Sequence, residues 1–144
     1  MAELQVRTLG EATLLEWTER GSLLSRAELR IHTLAHQSIH DRVCKLGAVF
    51  TPPQLRRSGH ARQLVALATA YIHRLEVDLA ILDCRRELTP LYASSSWQIA
   101  PTPMPKDSPS RPQSEEPLLV DMVLFCSDRA LAAYAALTHS GRLP

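Results

Sequence analysis

Two stretches of this sequence carry apolar residues at the spacing of an amphipathic helix, and a polar loop separates them. In residues 39–52 the apolar positions are Ile39, Val43, Leu46, Val49 and Phe50. In residues 63–82 they are Leu64, Val65, Leu67, Ala68, Tyr71, Ile72, Leu75, Leu79 and Leu82. Because an amphipathic helix buries its apolar stripe only against another element, the pattern predicts association with a partner, in the same chain or in another one.

Helix-breaking residues predict the bounds of both helices. Residues 23–46 contain no Pro or Gly, so they are expected to form one long helix that ends at Gly47. Ser58 marks the start of the second helix, which is expected to run to about residue 88, before Pro90.

The composition favours an all-α fold and an association role. Hydrophobic residues make up 45% of the chain but aromatic ones only 5%, so the core is aliphatic, which suits helix packing. The net charge of +1 gives no general attraction to nucleic acid or to an anionic membrane. The three cysteines form no CxxC pair, which favours a reducing, intracellular setting. No signal peptide and no membrane span are expected, since Glu3 and Arg7 interrupt the start of the chain.

The order of these features predicts four segments. They are an N-terminal arm (1–21), a helical dimerisation region (22–88), a Pro/Ser-rich linker (89–117) and a C-terminal helical segment (118–144). In the last segment, residues 118–125 are equally compatible with a strand, and periodicity alone does not decide between the two.

Both helical stretches resemble the helix-loop-helix family. The end of the first helix resembles that family at Val43, Leu46, Val49, Phe50 and Pro52, with Ile39 one turn earlier. The second resembles it at Leu64, Val65, Leu67, Ala68, Tyr71, Ile72 and Leu75. The resemblance covers residues 38–82 and implies a helical hairpin that forms a parallel four-helix bundle on dimerisation. The dimer interface that it implies consists of Ile39, Val43, Leu46, Leu64, Leu67, Ala68, Tyr71, Ile72 and Leu75.

The chain departs from this family where DNA-binding members carry basic residues. Those positions fall on His32, Thr33, Leu34 and Ala35. The lysine that the family has just before the second helix is absent from this chain, which has His60 in that region. The chain therefore resembles the inhibitor-of-DNA-binding type, which implies no direct, specific DNA binding.

The resemblance leads to a functional expectation. It implies a nuclear protein, with the cytoplasm as a second location, that heterodimerises with a basic helix-loop-helix transcription factor and represses transcription; a homodimer is a further option. The alternative is a small helical adaptor or scaffold subunit of a multiprotein complex.

No enzyme activity, cofactor or metal is expected. His32, His36, His40 and Cys44 recur every four residues, but along one helix the first and last lie about 18 Å apart and cannot close one tetrahedral site. Cys44 has no activating base and orienting group in the pattern, and the chain lacks GxGxxG, Walker and HExxH motifs. The Arg56–Arg57 pair is read as solvated surface.

Overall fold

The computed structural model describes residues 2–36, 39–101 and 119–140. Two tight turns connect the first three strands of the sheet. Strands β1 (Ala2–Leu9), β2 (Ala12–Glu19) and β3 (Ser22–His36) are joined by two-residue turns. Gly10 has a φ of 63°, and Arg20 and Gly21 have φ values of 51° and 79°. Positive φ at both Arg20 and Gly21 is the requirement of a type I′ turn, and positive φ at Gly10 alone is that of a type II′ turn. Both turn types match the twist of the strands that they join.

Strand β3 corrects the helix predicted over residues 23–46. Between Ser25 and His32, small or apolar residues alternate strictly with charged or polar ones. Ser25, Ala27 and Leu29 are all buried, whereas Arg26 and Arg30 are exposed. This period of two is the pattern of a half-buried strand. The prediction failed because the residues in this stretch also have high helix propensity, and tertiary pairing overrides that preference.

The remaining strands complete a mixed seven-stranded sheet in the order β1-β2-β3-β4-β5-β7-β6. They are β4 (Ile39–Phe50), β5 (Leu79–Arg85), β6 (Gln98–Ile99) and β7 (Leu119–Phe125). Strands β4 and β5 are parallel, and the other neighbouring strands are antiparallel. The helices are α1 (His60–Arg74), which crosses from β4 to β5, α2 (Thr89–Ala93) and α3 (Ala130–Ser140).

Both faces of the sheet bear apolar clusters. On the face that we call the α1 face, Leu64, Ala68 and Ile72 of α1 pack against Leu29 and Leu46 of the sheet. On the opposite face, the α3 face, helix α3 contributes Ala133, Tyr134, Ala136 and Leu137 to a cluster with Val43, Leu79, Ile81 and Val123. A strand that is covered on both faces carries apolar residues without clean alternation, and β4 and β5 were misread as helices for this reason.

The all-α fold and the four-helix bundle are therefore wrong. The second predicted helix agrees with the structure only as far as Arg74, beyond which residues 79–85 form β5. Residues 118–125, for which two readings stayed open, contain the strand β7, and α3 follows it. Residues 102–117 of the predicted linker lie outside the described residues, and the part before them contains α2 and β6.

Polar contacts hold β4 and β5 together where both strands begin. The backbone N–H of Asp78 donates to the carbonyl of Arg42 at 2.9 Å, and the Asp78 carboxylate accepts from the backbone N–H of Arg42 at 2.9 Å. Asp41, only 1% exposed, accepts from Nε and Nη2 of Arg129 at 3.0 and 3.2 Å, which ties the segment before α3 to β4. Along the described part of the chain, no helix is long and apolar enough to cross a membrane.

Candidate functional site

The parallel strands β4 and β5 pair over a short distance and then separate. Their register joins Val43, Cys44 and Lys45 to Leu79, Ala80 and Ile81. Beyond these pairs β4 continues to Phe50 and β5 to Arg85 without further pairing between them in the described register. The sheet therefore opens at the carboxyl ends of the two strands, which is where ligands bind in open α/β sheets.

A β-bulge bends β4 at this opening. Arg26 pairs with Phe50 and Glu28 pairs with Gly47, so two residues of β4, Ala48 and Val49, lie opposite one residue of β3. Ala48 has a φ of 52°, in the left-handed region that residues with a side chain adopt at a cost. A bulge takes its extra residue out of the hydrogen-bond ladder and changes the direction of the strand, and bulges are frequent next to functional sites.

The loop from Thr51 to Gly59 joins β4 to α1 and is fixed by hydrogen bonds. Ser25, which is fully buried, donates from Oγ to the Phe50 carbonyl at 3.0 Å and lies 3.0 Å from Oγ1 of Thr51. The Arg56 Nε donates to the Thr51 carbonyl at 2.9 Å, which closes the loop on itself. The loop therefore presents Arg56 and Arg57 at the opening on a fixed backbone.

The N-terminus of α1 has the electrostatics of an anion site. Its N-cap is Gly59, with a φ of 84°, and no side chain caps the first turn among the described residues. The first turn contains no acidic residue but includes Arg62. Asp and Glu favour this end of a helix and arginines are disfavoured there, unless an anion is bound. Exposed backbone N–H groups, the helix dipole and nearby arginines together suit a phosphate.

A cavity of about 570 Å³ occupies the opening. One wall is the end of β4 with the following loop and the start of α1, and the other wall is the segment that follows β5. Its lining residues are Val49, Phe50, Thr51, Leu55, Arg56, Arg57, Gly59, His60, Ala61, Arg62, Leu88, Leu91 and Tyr92. The cavity thus joins the anion site at α1 to a wall that includes Leu88, Leu91 and Tyr92.

Tyr92 lies on α2 and is positioned by a buried contact between helices. The backbone N–H of Trp97 donates to the Tyr92 carbonyl at 3.3 Å, and Nε1 of Trp97 donates to Oγ1 of Thr69 on α1 at 3.0 Å. Burial, with smaller contributions from nearby Cys84 and Asp83, raises the pKa of Tyr92 from 10.0 to about 12. The phenol is therefore protonated at neutral pH.

The cysteines do not have the properties of nucleophiles. Burial raises the pKa of Cys44 from 9.0 to about 12, and it raises the pKa of Cys84 and of Cys126 to about 11. Since a thiolate is the reactive form, three protonated thiols at neutral pH behave as small apolar groups.

The residues of the predicted dimer interface lie on two different elements. Ile39, Val43 and Leu46 are in β4, and Leu64, Leu67, Ala68, Tyr71, Ile72 and Leu75 are on α1 or at its end. Val43, Leu46, Leu64, Ala68 and Ile72 are buried in the core of the chain itself. That burial accounts for the apolar stripes without a partner chain, and an interface role for these positions remains a prediction.

The histidine and cysteine series does not converge. His32 lies opposite Val43, whereas Cys44 lies opposite Ile31, so His32 and Cys44 are on opposite faces of the sheet. Within residues 2–36, 39–101 and 119–140, no group of three or more His, Cys, Asp and Glu side chains is placed to hold a metal ion.

Comparison with solved structures gives this arrangement a context. No protein-family model and no curated protein matches the sequence. An acetyltransferase from Bacillus subtilis, solved in complex with CoA, aligns with a TM-score of 0.65 at 11% identity over 87% of this chain and 99% of that chain. A GNAT family acetyltransferase from Elizabethkingia anophelis with acetyl-CoA bound gives 0.65 at 9% identity, over 86% and 97% of the two chains. The chain has the GNAT acetyltransferase fold.

A third neighbour agrees with the first two. The ribosomal-protein-S18-alanine N-acetyltransferase from Escherichia coli aligns with a TM-score of 0.58 at 17% identity, over 83% of this chain and 72% of that chain. The helix-loop-helix resemblance is therefore wrong, because the first predicted helix and the end of the second are strands of a mixed sheet. The function expected from that resemblance, a transcriptional repressor with a basic helix-loop-helix partner, is therefore also wrong. The alternative, a small helical adaptor, is wrong for the same reason. These acetyltransferase neighbours give no support to the expectation that the chain is not an enzyme.

The sequence does not reveal the cavity, because its lining residues fall in the second predicted helix, in the segment between the two predicted helices and in the predicted linker. Arg56 and Arg57 were taken for solvated surface, and Tyr92 was assigned to the linker. The local signal was a strand followed by a loop with two arginines and a glycine directly before a helix, which is the arrangement of a phosphate-binding helix start.

Proposed function

We propose that this chain binds an acyl-coenzyme A in the cavity between β4 and β5 and transfers its acyl group to an amine. The observation that carries the proposal is the cavity itself, which connects the positive start of α1 to the protonated phenol of Tyr92. Two neighbours of the same fold were solved with CoA or acetyl-CoA, which supports the choice of ligand.

The residues at the start of α1 fit the phosphates of such a ligand. Coenzyme A carries a diphosphate bridge, and a helix start with Gly59 as its N-cap leaves backbone N–H groups for an anion. Arg57 and Arg62 are exposed beside it and line the cavity, so their guanidinium groups can form charge-assisted hydrogen bonds with phosphate oxygens.

The other end of the cavity fits an acyl group and its transfer. When bound, an acyl-coenzyme A supplies an acyl group that is activated as a thioester. Val49, in the bulge of β4, lines the cavity, and a bulge leaves backbone groups available for hydrogen bonds to a carbonyl oxygen. Tyr92 keeps its proton on Oη at neutral pH and is suited to donate it to a sulfur leaving group.

We assign the acceptor to the class of amines. A neighbour of the same fold is described as an alanine N-acetyltransferase, so nitrogen is the acceptor in that protein.

Isothermal titration with coenzyme A tests the binding half of the proposal. The native chain should bind saturably at one site, and Arg57→Ala or Arg62→Ala should each weaken binding about tenfold, the effect of one charge-assisted hydrogen bond of about 1.5 kcal/mol. Arg74→Ala is the matched control, because Arg74 is exposed at the far end of the same helix. Absence of saturable binding, or an equal loss in all three variants, would contradict the proposal.

Release of free thiol from acetyl-coenzyme A tests the catalytic half. The chain is incubated with small primary amines and with peptides that have free N-termini, and thiol is followed with a chromogenic disulfide. Acceptor-dependent thiol release is the expected result. If coenzyme A binds but no amine receives the acetyl group, the proposed ligand is supported and the proposed acyl transfer is contradicted.

A further inference from the structure

Strand β1 is an outer strand of the sheet with one long side unused. Among the described residues it pairs with β2 alone, through eight consecutive residue pairs from Ala2–Glu19 to Leu9–Ala12. All of its residues are exposed or half-exposed, and Val6 is 43% exposed. The backbone N–H and C=O groups on the outer side of such a strand can pair with another strand.

Strand β1 carries the exposed charges of Glu3 and Arg7 but is neither short nor interrupted, as protected outer strands often are. Soluble proteins shorten such strands or interrupt them with Pro or a bulge. This one has eight residues, none of them Pro, and its register with β2 is uninterrupted. The outer strand at the other end of the sheet, β6, has only two residues.

The sequence of β1 is complementary to itself. In an antiparallel pair, directly opposed side chains lie on the same face. A two-fold axis that relates two copies therefore passes midway between the two copies of one residue, which lie opposite each other. With the axis at Gln5, Glu3 of each copy lies opposite Arg7 of the other, and Leu4 lies opposite Val6. Each charged pair then falls on one face of the joined sheet and each apolar pair on the opposite face.

The neighbouring registers lack this match. With the axis at Val6, Glu3 would lie opposite Leu9, and with the axis at Leu4 it would lie opposite Gln5. Neither register pairs opposite charges. The axis at Gln5 is therefore the register that the charges select.

Arg7 is already oriented for this role within one chain. Its Nε and Nη2 donate to the carboxylate of Glu16 at 2.8 and 3.3 Å, while its side chain stays 62% exposed. A guanidinium carries five N–H donors, so Arg7 can serve a second carboxylate on its outer side.

We propose that two copies of this chain associate through β1, antiparallel about a two-fold axis at Gln5, and form one continuous sheet. The pairing is isologous, so it closes as a dimer and does not grow into a filament. It is independent of the acyltransferase proposal, because β2 and β3 separate β1 from the opening between β4 and β5.

Sedimentation velocity over a range of protein concentrations tests the dimer. The native chain should change from monomer to dimer as the concentration rises. Glu3→Arg turns both opposite-charge pairs of the dimer into pairs of two arginines and should raise the dissociation constant about tenfold or more. Glu11→Arg is the matched control, since Glu11 is exposed in the turn that follows β1, and it should leave the dissociation constant unchanged.

Mixing two charge variants tests the register. Arg7→Glu alone should be monomeric like Glu3→Arg, but an equimolar mixture of the two variants restores opposite-charge pairing and should form a heterodimer. A native chain that stays monomeric at every concentration would overturn the proposal. So would a dimer that Glu3→Arg does not weaken, or a mixture of folded variants that stays monomeric.

If Arg7→Glu fails to fold, because a carboxylate at position 7 repels Glu16, hydrogen exchange tests the dimer without that variant. In the native chain, alternate amides of β1 that face away from β2 should gain protection as the protein concentration rises. The same amides in Glu3→Arg should not. Equal, concentration-independent exchange in both proteins would overturn the proposal.

Discussion

At the scale of single residues, burial raises the pKa of the Tyr92 phenol. An ordinary phenol has a pKa of 10.0, and its surroundings here raise the pKa to about 12 because they disfavour the phenolate. The acid form, which an ordinary phenol also has at neutral pH, therefore persists to a higher pH here. The raised pKa also makes the phenol a weaker acid, so a role in proton donation rests on its position in the cavity and not on the shift.

Replacing Tyr92 with Phe should lower kcat of acyl transfer by about 10²-fold or more, the usual effect of losing a positioned acid. The KM for acyl-coenzyme A should change little, because the phosphate-binding residues are untouched. Tyr71→Phe is the matched control, since Tyr71 is half-buried on α1 and does not line the cavity. Equal kcat values for the native chain and for Tyr92→Phe would show that Tyr92 does not donate a proton in the reaction.

The pH profile gives a second readout of the same residue. Because the folded pKa is raised, the acid form is retained as pH rises through 10.0, and kcat should not fall there on account of Tyr92. An alkaline decline centred near 10.0 that disappears in Tyr92→Phe would show instead that the phenol titrates as it does in water.

Sequence reasoning could not identify Tyr92 as a site residue. The stretch after residue 88 has many Pro and Ser residues and resembles a linker by composition. What places Tyr92 in the cavity is a contact between distant residues, Trp97 and Thr69, and local sequence patterns carry no information about such contacts.

At the scale of elements, the error of the sequence analysis has a physical cause. The spacing of Leu64, Ala68 and Ile72 correctly predicted a helix over this stretch, because α1 presents one apolar face to the sheet. The same spacing in β4 was coincidental, since β4 is buried on both faces and lacks the alternation that identifies a strand. The alternation in residues 25–32 was a readable strand signal, and helix propensity concealed it.

The junction between β4 and α1 should be sensitive to Gly59. At a φ of 84°, Gly59→Ala puts a side chain into the left-handed region and should lower the free energy of unfolding by about 1–2 kcal/mol. No atom lies within 4 Å of the added Cβ, so the cost is conformational. Urea unfolding measures the change, and titration with coenzyme A should show weaker binding.

Gly47→Ala is the control for this experiment. Gly47 is in β4 without a positive φ, and a Cβ added there also meets nothing within 4 Å. Its stability should change by less than about 1 kcal/mol, with either sign. Equal changes in the free energy of unfolding for the two substitutions would show that the positive φ of Gly59 is not the cause.

At the scale of the whole molecule, buried thiols link the fold to pH. The folded pKa of Cys44 is about 12 and that of Cys84 about 11, against 9.0 for an ordinary thiol. The unfolded chain therefore loses these protons first as pH rises. Stability is fully present below pH 9.0 and declines as pH rises toward the folded values, by about 1.4 kcal/mol per pH unit for each thiol at most.

Cys44→Ala should flatten this alkaline decline. At neutral pH the substitution destabilises the chain, because Cys44 is fully buried in the core. Above pH 9.0 the variant no longer contributes a thiol that ionises on unfolding, so the difference from the native chain should shrink. Urea unfolding at about pH 7.5 and about pH 10.5 measures both differences. Parallel pH curves for the two proteins would show that Cys44 titrates alike in the folded and unfolded states.

Binding of acyl-coenzyme A at the start of α1 is tested by titrating isotope-labelled protein with coenzyme A and following its backbone amide resonances. Gly59, His60, Ala61 and Arg62 should shift most and saturate together, since their N–H groups face the proposed phosphates. The amides of β1, at the far edge of the sheet, should stay in place. Absence of saturable shifts, or shifts that cluster away from the cavity, would contradict the account.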